Sequence, residues 1–314
     1  MGRYRVGNWA KYNKALVKRG SINIWFSEDA IKKWHTTDKT GNRGRPQMYS
    51  NDAILCALLV RSVFKLPLRG LEGFLASLVT LLDLAISIPC YTQICRRARE
   101  LGKELKKLSC KLPTDIVFDS TGLKVYGEGE WKVRQHGIGK RREWRKLHIG
   151  IDVNSQQIIV MELTYNSKGD AETASSLIDK VPNRVKRVYG DGAYDGMNFR
   201  KKVGQKGAKP IIPPPKNAVI RSGTDLATQT RNQAVREIAQ LGGDDRARAL
   251  WKKLKGYHSR SIVETAIYRY KCIIGGTLRS REERRQRVEA AVGCLIINKM
   301  TELGMPLGMW DATA

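Results

Sequence analysis

Residues 257–271, YHSRSIVETAIYRYK, carry four side chains that suit the handling of phosphate. They are Tyr257, Arg260, Glu264 and Lys271. On a helix that turns by about 100° per residue, the four fall within an arc of roughly 60° and share one narrow stripe. Apolar residues fill the neighbouring arc, so the stripe would lie at the rim of a buried face. A carboxylate beside two cations and a phenol is therefore a candidate phosphate-handling site.

The same stretch also fits a purely structural alternative. Ser261-Ile-Val-Glu264 matches a capping box, in which Glu264 bonds the backbone at the start of the helix. The stretch alone does not decide between the two interpretations.

Two further carboxylates, Asp119 and Asp191, stand where predicted strands end. Asp119 closes the apolar run IVFD before the turn residues STG, and Asp191 closes RVKRVYGD before GAYDG. Open α/β sheets place their ligands at the carboxyl ends of strands, so the two acids meet if their strands are neighbours. Asp191 lies between two glycines and also fits an ordinary turn aspartate. Asp152 and Asp195 are rivals in similar local settings.

Asp119, Asp191 and Glu264 would suffice to hold two Mg²⁺ ions, or Mn²⁺ in their place, through carboxylate oxygens. In a two-metal site one ion activates the attacking oxygen and the other stabilises the leaving oxygen of a phosphoryl displacement. Such a site needs no histidine. The sequence has no G-x-S-x-G, Walker or H-E-x-x-H pattern that would indicate another kind of catalysis.

The N-terminal third, residues 1–111, is predicted to be helical. Its segments carry apolar residues at three-to-four spacing, and Ser27 and Ser50 stand where helix N-caps belong. The helix after Pro89 fits the recognition element of a helix-turn-helix, but it also fits a solvated basic face. In the first interpretation it reads bases and contacts phosphates. The candidate base readers are Gln93, Arg96 and Arg97, and the candidate phosphate contact is Lys103.

From residue 115 the pattern changes to strands rich in β-branched residues. The order of elements predicts an α/β sheet, βββαβαβ, followed by the helix that carries Glu264. A polar, partly helical stretch at about 216–256 is predicted to be an insertion. The predicted domains are a helical region (1–111), an α/β region (112–280) and a C-terminal helix and tail (281–314).

The chain is strongly basic. Its 314 residues include 57 Lys plus Arg against 30 Asp plus Glu, a formal net charge of +27. A polyanion such as nucleic acid is the expected partner. The N-terminus is not followed by an apolar stretch, so no secretory signal is predicted, and we expect a cytoplasmic location.

The spacing Tyr257-x2-Arg260-x3-Glu264-x6-Lys271 reproduces the Y-x2-R-x3-E-x6-K signature of bacterial insertion-sequence DDE transposases. FDSTGLKVYGEGEWKVRQHG and GDGAYD are similar to the surroundings of that family's first and second aspartates. GRPQMYSNDAI resembles its N-terminal region. The chain resembles most the insertion-sequence-five group, from about Arg43 to Pro306.

The resemblance implies a ribonuclease-H-like core in which Asp119 and Asp191 lie on adjacent strands and Glu264 lies on a helix packed against them. It implies Mg²⁺-dependent cleavage at the element's terminal inverted repeats, followed by attack of a 3′-hydroxyl on target DNA. Tyr257, Arg260 and Lys271 would contact DNA near the scissile phosphate. Because such enzymes pair two DNA ends, we expect a homodimer on DNA, associated with the bacterial nucleoid.

Two other functions stay open. A relative with this fold that had lost catalysis would be a DNA-binding regulator, although the presence of all three acids argues against it. A nuclease of the same fold would hydrolyse DNA without joining strands, and the detection of strand joining would exclude it.

Overall fold

The computed structural model describes residues 4–36, 46–106, 108, 112–125, 143–182 and 184–310. The chain divides into two compact units. One unit comprises Met1–Leu105 with Leu295–Ala314, and the other comprises Lys106–Cys294. The sequence predicted that residues 281–314 form a separate C-terminal helix and tail. In the structure, Leu295–Ala314 belongs to the same unit as the N-terminal helices. Asn8 shows the reason, because its side chain donates to the carbonyl of Met305 at 3.0 Å and accepts from the backbone of Leu307 at 2.8 Å.

The first unit is mainly helical. Its elements are β1 (Tyr4–Val6), α1 (Trp9–Lys18), α2 (Ile22–Trp25), α3 (Glu28–Lys32), α4 (Asn51–Val63), α5 (Leu68–Leu81), α6 (Tyr91–Arg97), a 3-10 helix (Leu101–Lys106) and β8 (Gly308–Trp310). The predicted N-caps are confirmed, because Ser27 accepts from the backbone of Ala30 and Ser50 from that of Ala53. Strand β1 pairs antiparallel with β8.

The predicted helix after Pro89 is shorter than expected. It ends at Arg97, and the chain then continues as the 3-10 helix, where Gly102 lowers helix propensity. Residues 82–90 separate α5 from α6, a connection longer than the three or four residues of a helix-turn-helix. The two helices are therefore not joined in that way.

The second unit is a mixed α/β fold. In chain order its elements are β2 (Asp115–Val125), β3 (Trp144–Asp152), β4 (Ile158–Tyr165), α7 (Asp170–Asp179), β5 (Arg187–Tyr189), α8 (Met197–Gln205), β6 (Lys209–Ile211), α9 (Leu226–Gln240), α10 (Asp245–Leu254), α11 (Ser261–Ile273) and β7 (Thr277–Leu278). Short 3-10 helices cover Gly192–Tyr194 and Tyr257–Arg260. The last helix, α12 (Glu283–Leu303), begins in this unit and ends in the other. The segment predicted to be an insertion contains α9 and α10.

The sheet runs in the order β4-β3-β2-β5-β6, and β7 pairs with the far end of β2. Strand β3 pairs antiparallel with both β2 and β4, whereas β5 pairs parallel with β2, and β6 pairs parallel with β5. Strand β2 is central and buried on both faces, which explains its continuous apolar start, IVF. Beneath it, Phe118 packs edge-on against Phe199 of α8, with ring centroids 5.6 Å apart.

The register between β2 and β5 brings two of the predicted acids level. Val117 lies opposite Tyr189, and two residues further along each chain come Asp119 and Asp191. An ion pair fixes this register at the start of the strands, where Arg187 donates to both carboxylate oxygens of Asp115 at 2.9 and 2.7 Å. Within the described residues, no helix is both long and apolar enough to cross a bilayer.

Candidate active site

Asp119 lies in the middle of β2. The predicted strand end at Asp119 is wrong, because β2 stays paired with β3 through Ser120, Thr121 and Gly122 and runs on to Val125. Its side chain is 17% exposed, and its Oδ1 accepts from the backbone of Ser120 at 2.8 Å. Its Oδ2 lies 3.3 Å from Nη2 of Arg260. Burial raises the pKa of Asp119, and the hydrogen bond from Ser120 and the charge of Arg260 oppose that shift. The backbone of Asp119 is also held in the sheet, where it lies opposite Ile149 of β3.

Asp191 follows β5 and caps the 3-10 turn Gly192–Tyr194. Its Oδ1 accepts from the backbone of Ala193 at 2.9 Å, which leaves Oδ2 directed at Arg260, 3.6 Å from Nη2. The preceding Gly190 must lack a side chain, because a Cβ there would lie 2.9 Å from the ring of Tyr194. The turn interpretation and the site interpretation of Asp191 are therefore compatible, since one oxygen serves each.

Glu264 lies in the first turn of α11, and its carboxylate does not form the capping box. Ser261 is already helical and donates its hydroxyl to the carbonyl of His258 at 2.9 Å. Glu264 instead accepts from Nη1 of Arg260 at 2.5 Å. The capping-box alternative is wrong because the turn before the helix is a 3-10 helix, which moves the N-cap position to Arg260.

Arg260 stands at the centre of the three acids. Its guanidinium contacts Glu264 through one terminal nitrogen and Asp119 and Asp191 through the other. Burial lowers its pKa, but the neighbouring Tyr257 and the three carboxylates outweigh burial and raise it. Its Nε is buried and has no hydrogen-bond partner in the described part of the chain. The sequence predicted a DNA contact for Arg260 and gave no indication of this central position.

Tyr257 and Lys271 differ in how far their side chains are buried. Tyr257 is half-buried, and burial together with the nearby acids raises its pKa to about 12. The ammonium of Lys252 lies over its ring, 5.4 Å from the centroid. Lys271 is exposed near the end of α11 and makes no ion pair with any described residue. Tyr257 therefore lies close to the acids, whereas Lys271 is open to an external anion.

The two rival aspartates have structural roles. Asp152 accepts from the backbone of Ser155 at 2.7 Å in the turn between β3 and β4. Asp195 is 5% exposed and pairs with Arg200 at 2.7 Å and with Arg231 at 3.0 Å. Neither rival contacts Arg260 among the contacts of the described residues.

Sequence reasoning missed a second polar cluster, which lies directly behind Asp119. The hydroxyl of Ser120 donates to Asp170 at 2.7 Å, and Lys146 lies 3.3 Å from the same carboxylate. Nδ1 of His148 lies 3.4 Å from Asp170, and its Nε2 lies 2.9 Å from the hydroxyl of Thr164. The only local signal was Asp170 at the start of a helix, where acidic residues are common.

The predicted DNA-binding residues of the first unit differ in how accessible their side chains are to a partner. Gln93, Arg96 and Arg97 all border a cleft of about 640 Å³, and of the three only Arg96 is exposed. Arg97 is 6% exposed and donates to the carbonyl of Tyr49 at 2.8 Å. Lys103 lies in the 3-10 helix, and its side chain is outside the described residues, as are residues 132–142 of the basic stretch before Lys146. These contacts favour Gln93 and Arg96 over Arg97 for an external partner.

The donor set of the three acids fits a divalent cation. Carboxylate oxygens are the ligands that Mg²⁺ and Mn²⁺ prefer, and here they come from three separate segments and converge on one positive group. In the described residues no three acidic, histidine or cysteine side chains already form a cage tight enough for a metal ion. The acids are instead spaced around the guanidinium, which supplies the compensating charge.

Two segments of the chain match protein families described as Transposase DDE domain. The matches cover residues 17–128 and residues 111–299. An uncharacterized protein of Aquifex aeolicus (strain VF5) is 27% identical over 209 residues, which is 60% of this chain and 61% of that protein. The chain thus spans less than two thirds of the length of this relative.

Two solved structures show weaker likeness. The piggyBac transposase in a synaptic complex with hairpin DNA gives a TM-score of 0.39 at 11% identity, over 90% of this chain and 75% of that one. The Drosophila P element transposase in a strand transfer complex gives 0.32 at 11% identity, over 88% and 84%. These scores are too low to establish a shared fold.

Proposed function

Because this chain belongs to the family of Transposase DDE domains, we propose that it is a transposase of the insertion-sequence-five type that cuts and joins DNA at Asp119, Asp191 and Glu264. One observation carries the proposal: acids from strand β2, from the turn after the adjacent β5 and from one helix surround a single guanidinium. The order of elements in the second unit, three antiparallel strands followed by alternating helices and strands, supports a ribonuclease-H-like core.

DDE transposase domains generally use divalent metal ions. We propose Mg²⁺ here, with two ions per site and Mn²⁺ as a substitute, held by the three carboxylates. When bound, the ions supply activation of the attacking oxygen and stabilisation of the leaving oxygen.

The three acids differ in how firmly they are held, and this suits a division of roles. Asp119 is fixed by its strand and by Ser120, and Asp191 by its turn. Glu264 is 56% exposed on a helix, so its side chain can adjust as the reacting phosphate moves. Two rigid ligands and one adaptable ligand would orient the scissile phosphate and follow it through the in-line displacement.

The basic residues would position DNA rather than perform the chemistry. Tyr257, Arg260 and Lys271 are proposed to contact phosphates beside the cut, with the exposed Lys271 as the outermost contact. Gln93 and Arg96 are proposed to read the terminal inverted repeats. The net charge of +27 supports a double-stranded DNA partner for the whole chain. A homodimer that pairs two ends, acting on target DNA in the nucleoid, completes the proposal.

Side-by-side cleavage and gel-shift assays test this function. Asp119→Asn, Asp191→Asn and Glu264→Gln should each abolish Mg²⁺-dependent cleavage and leave DNA binding nearly intact, because the acids serve the metals. Asp179→Asn, an exposed acid paired with Lys202, is the control and should cut normally. Cutting by any of the three site variants would remove that residue from the site. Binding without cutting by the wild type would favour the regulator, and cutting without strand joining would favour the nuclease.

A further inference from the structure

We propose that Arg260 is the resident counter-ion of the acidic site. In the metal-free protein its guanidinium holds the three carboxylates and competes with divalent cations for their oxygens, and DNA phosphates draw it away so that the cations can bind. This inference rests on the proposed function and deepens it, because it names what couples the DNA partner to the metal.

The geometry makes the guanidinium and a metal ion mutually exclusive. Nη1 lies 2.5 Å from Glu264 Oε1, and Nη2 lies 3.3 Å from Asp119 Oδ2 and 3.6 Å from Asp191 Oδ2. These are the oxygens that the metal ions would use. A divalent cation bound to them would stand against a positive group in a partly desolvated site, where like charges repel strongly.

Arg260 is held there by charge rather than by a complete set of hydrogen bonds. Its buried Nε lacks a partner in the described chain, and an unsatisfied buried donor costs free energy. A phosphate group offers a planar guanidinium two parallel hydrogen bonds, which no single acid of the three provides here. A phosphate beside the site would therefore compete effectively for this side chain.

The exposure of the site allows that exchange. The side chain of Arg260 is 21% exposed, and Glu264 on its outer side is 56% exposed. The residue stands at the junction of the 3-10 turn and α11, so only its side chain must move. DNA that approaches from the Glu264 side meets the guanidinium before it meets Asp119, which is 17% exposed.

Thermodynamic linkage turns this exchange into cooperativity. If DNA removes Arg260 from the acids, DNA raises the affinity for metal, and metal must raise the affinity for DNA by the same factor. The metal site would then fill mainly when a substrate is present, which limits hydrolysis away from the paired ends.

The test is a Mn²⁺ titration of the full chain, with free Mn²⁺ measured by electron paramagnetic resonance. Without DNA, Arg260→Gln should bind Mn²⁺ about tenfold more tightly than the wild type, the size expected from removal of a charge-assisted hydrogen bond that opposes binding. A duplex oligonucleotide should raise the affinity of the wild type towards that of Arg260→Gln and change the variant little. Asp119→Asn with the same duplex corrects for Mn²⁺ held by DNA alone.

Two further variants make the result specific. Arg246→Gln removes an equal charge from the exposed face of α10 and should bind Mn²⁺ like the wild type. Arg260→Lys keeps the charge but cannot span three acids, so it should bind with intermediate affinity. If Arg260→Gln does not fold, Arg260→Lys decides the question in the same titration.

The outcomes separate this inference from the proposed function. Unchanged or weaker Mn²⁺ binding by Arg260→Gln, or by Arg260→Lys where the first does not fold, would overturn the competition, provided that Asp119→Asn has lost Mn²⁺. Equal Mn²⁺ binding by the wild type and Asp119→Asn would overturn the proposed metal site itself. A DNA-independent affinity in the wild type would overturn the coupling.

Discussion

Asp195 and Arg200 form an ion pair inside the second unit, with Oδ1 2.7 Å from Nε and side chains 5% and 1% exposed. Arg231 of α9 closes the other side of the carboxylate at 3.0 Å, and it also donates to the carbonyl of Val219 at 2.9 Å. Asp195 ends the 3-10 turn that Asp191 begins. The cluster therefore ties α9 to the turn that carries a candidate catalytic acid.

Loss of Asp195 should destabilise the fold strongly. Asp195→Ala leaves two buried guanidinium groups without their counter-ion, and such a loss costs about 3–5 kcal/mol of the free energy of unfolding. Urea denaturation of the wild type and the variant measures this loss in the free energy of unfolding. Lys216→Ala, which breaks the exposed pair with Asp245, is the control and should leave stability nearly unchanged. Equal stability of the two variants would show that the buried cluster does not hold the unit together.

The pH dependence of stability should reflect His148. Burial lowers its pKa from 6.5 to about 4, opposed by the charge of Asp170. The unfolded chain therefore takes up the proton first as the pH falls. Stability is full above pH 6.5 and is lost towards pH 4, by up to about 3 kcal/mol from this group.

His148→Gln should flatten that part of the profile, because it removes the titrating ring and keeps a polar group near Thr164. The measurement is the urea concentration at the midpoint of unfolding, for wild type and variant, from about pH 8 to about pH 4.5. This range spans the ordinary pKa of histidine. His258→Gln, at an exposed ring, is the matched control and should follow the wild type. Parallel profiles for wild type and His148→Gln would show that another group governs acid sensitivity.

Arg96 and Arg97 are neighbours in sequence and should behave differently on mutation. Arg97→Ala should destabilise the first unit, because its guanidinium donates to Tyr49 and pairs with Glu100 at 3.0 Å. Arg96→Ala should leave stability within about 0.5 kcal/mol, as is usual for an exposed residue. If Arg96 reads a base, its loss should cost about 1–3 kcal/mol of discrimination between the terminal repeat and scrambled DNA.

Thermal unfolding and a salt series of DNA-binding curves with the full chain separate these effects. Gln93→Ala should match Arg96→Ala in DNA discrimination if both border the reading surface. Equal affinity of the wild type for both DNAs at every salt concentration would mean that this unit contributes charge alone.

The closeness of Asp119 and Asp191 was predictable because their setting is local. A carboxylate after a β-branched run follows the buried part of a strand, and the parallel pairing of β2 with β5 brings Asp119 and Asp191 level, although β2 itself runs on to Val125. The order of strands and helices in the second unit followed from the same alternation of patterns. The N-caps Ser27 and Ser50 were equally local.

The sequence could not predict contacts between residues that lie far apart in the chain. Nor could it predict contacts that depend on the exact residue at which a helix begins. Arg231 reaches Asp195 across 36 residues, and nothing beside either residue marks the pair. The start of α11 at Ser261 rather than earlier decided that Arg260, not the backbone, binds Glu264. The burial of Arg97 had a weak signal, since it lies three residues after the buried Ile94 on one helix face.

Strand β1 pairs residue by residue with β8, Tyr4 opposite Trp310 and Val6 opposite Gly308. For protein engineering, this pairing makes the order of residues 4–6 depend on residues 308–310. Trimming residues 308–310 would leave the backbone N–H and C=O groups of β1 without their partner strand. Residues 4–6 would therefore be held less firmly.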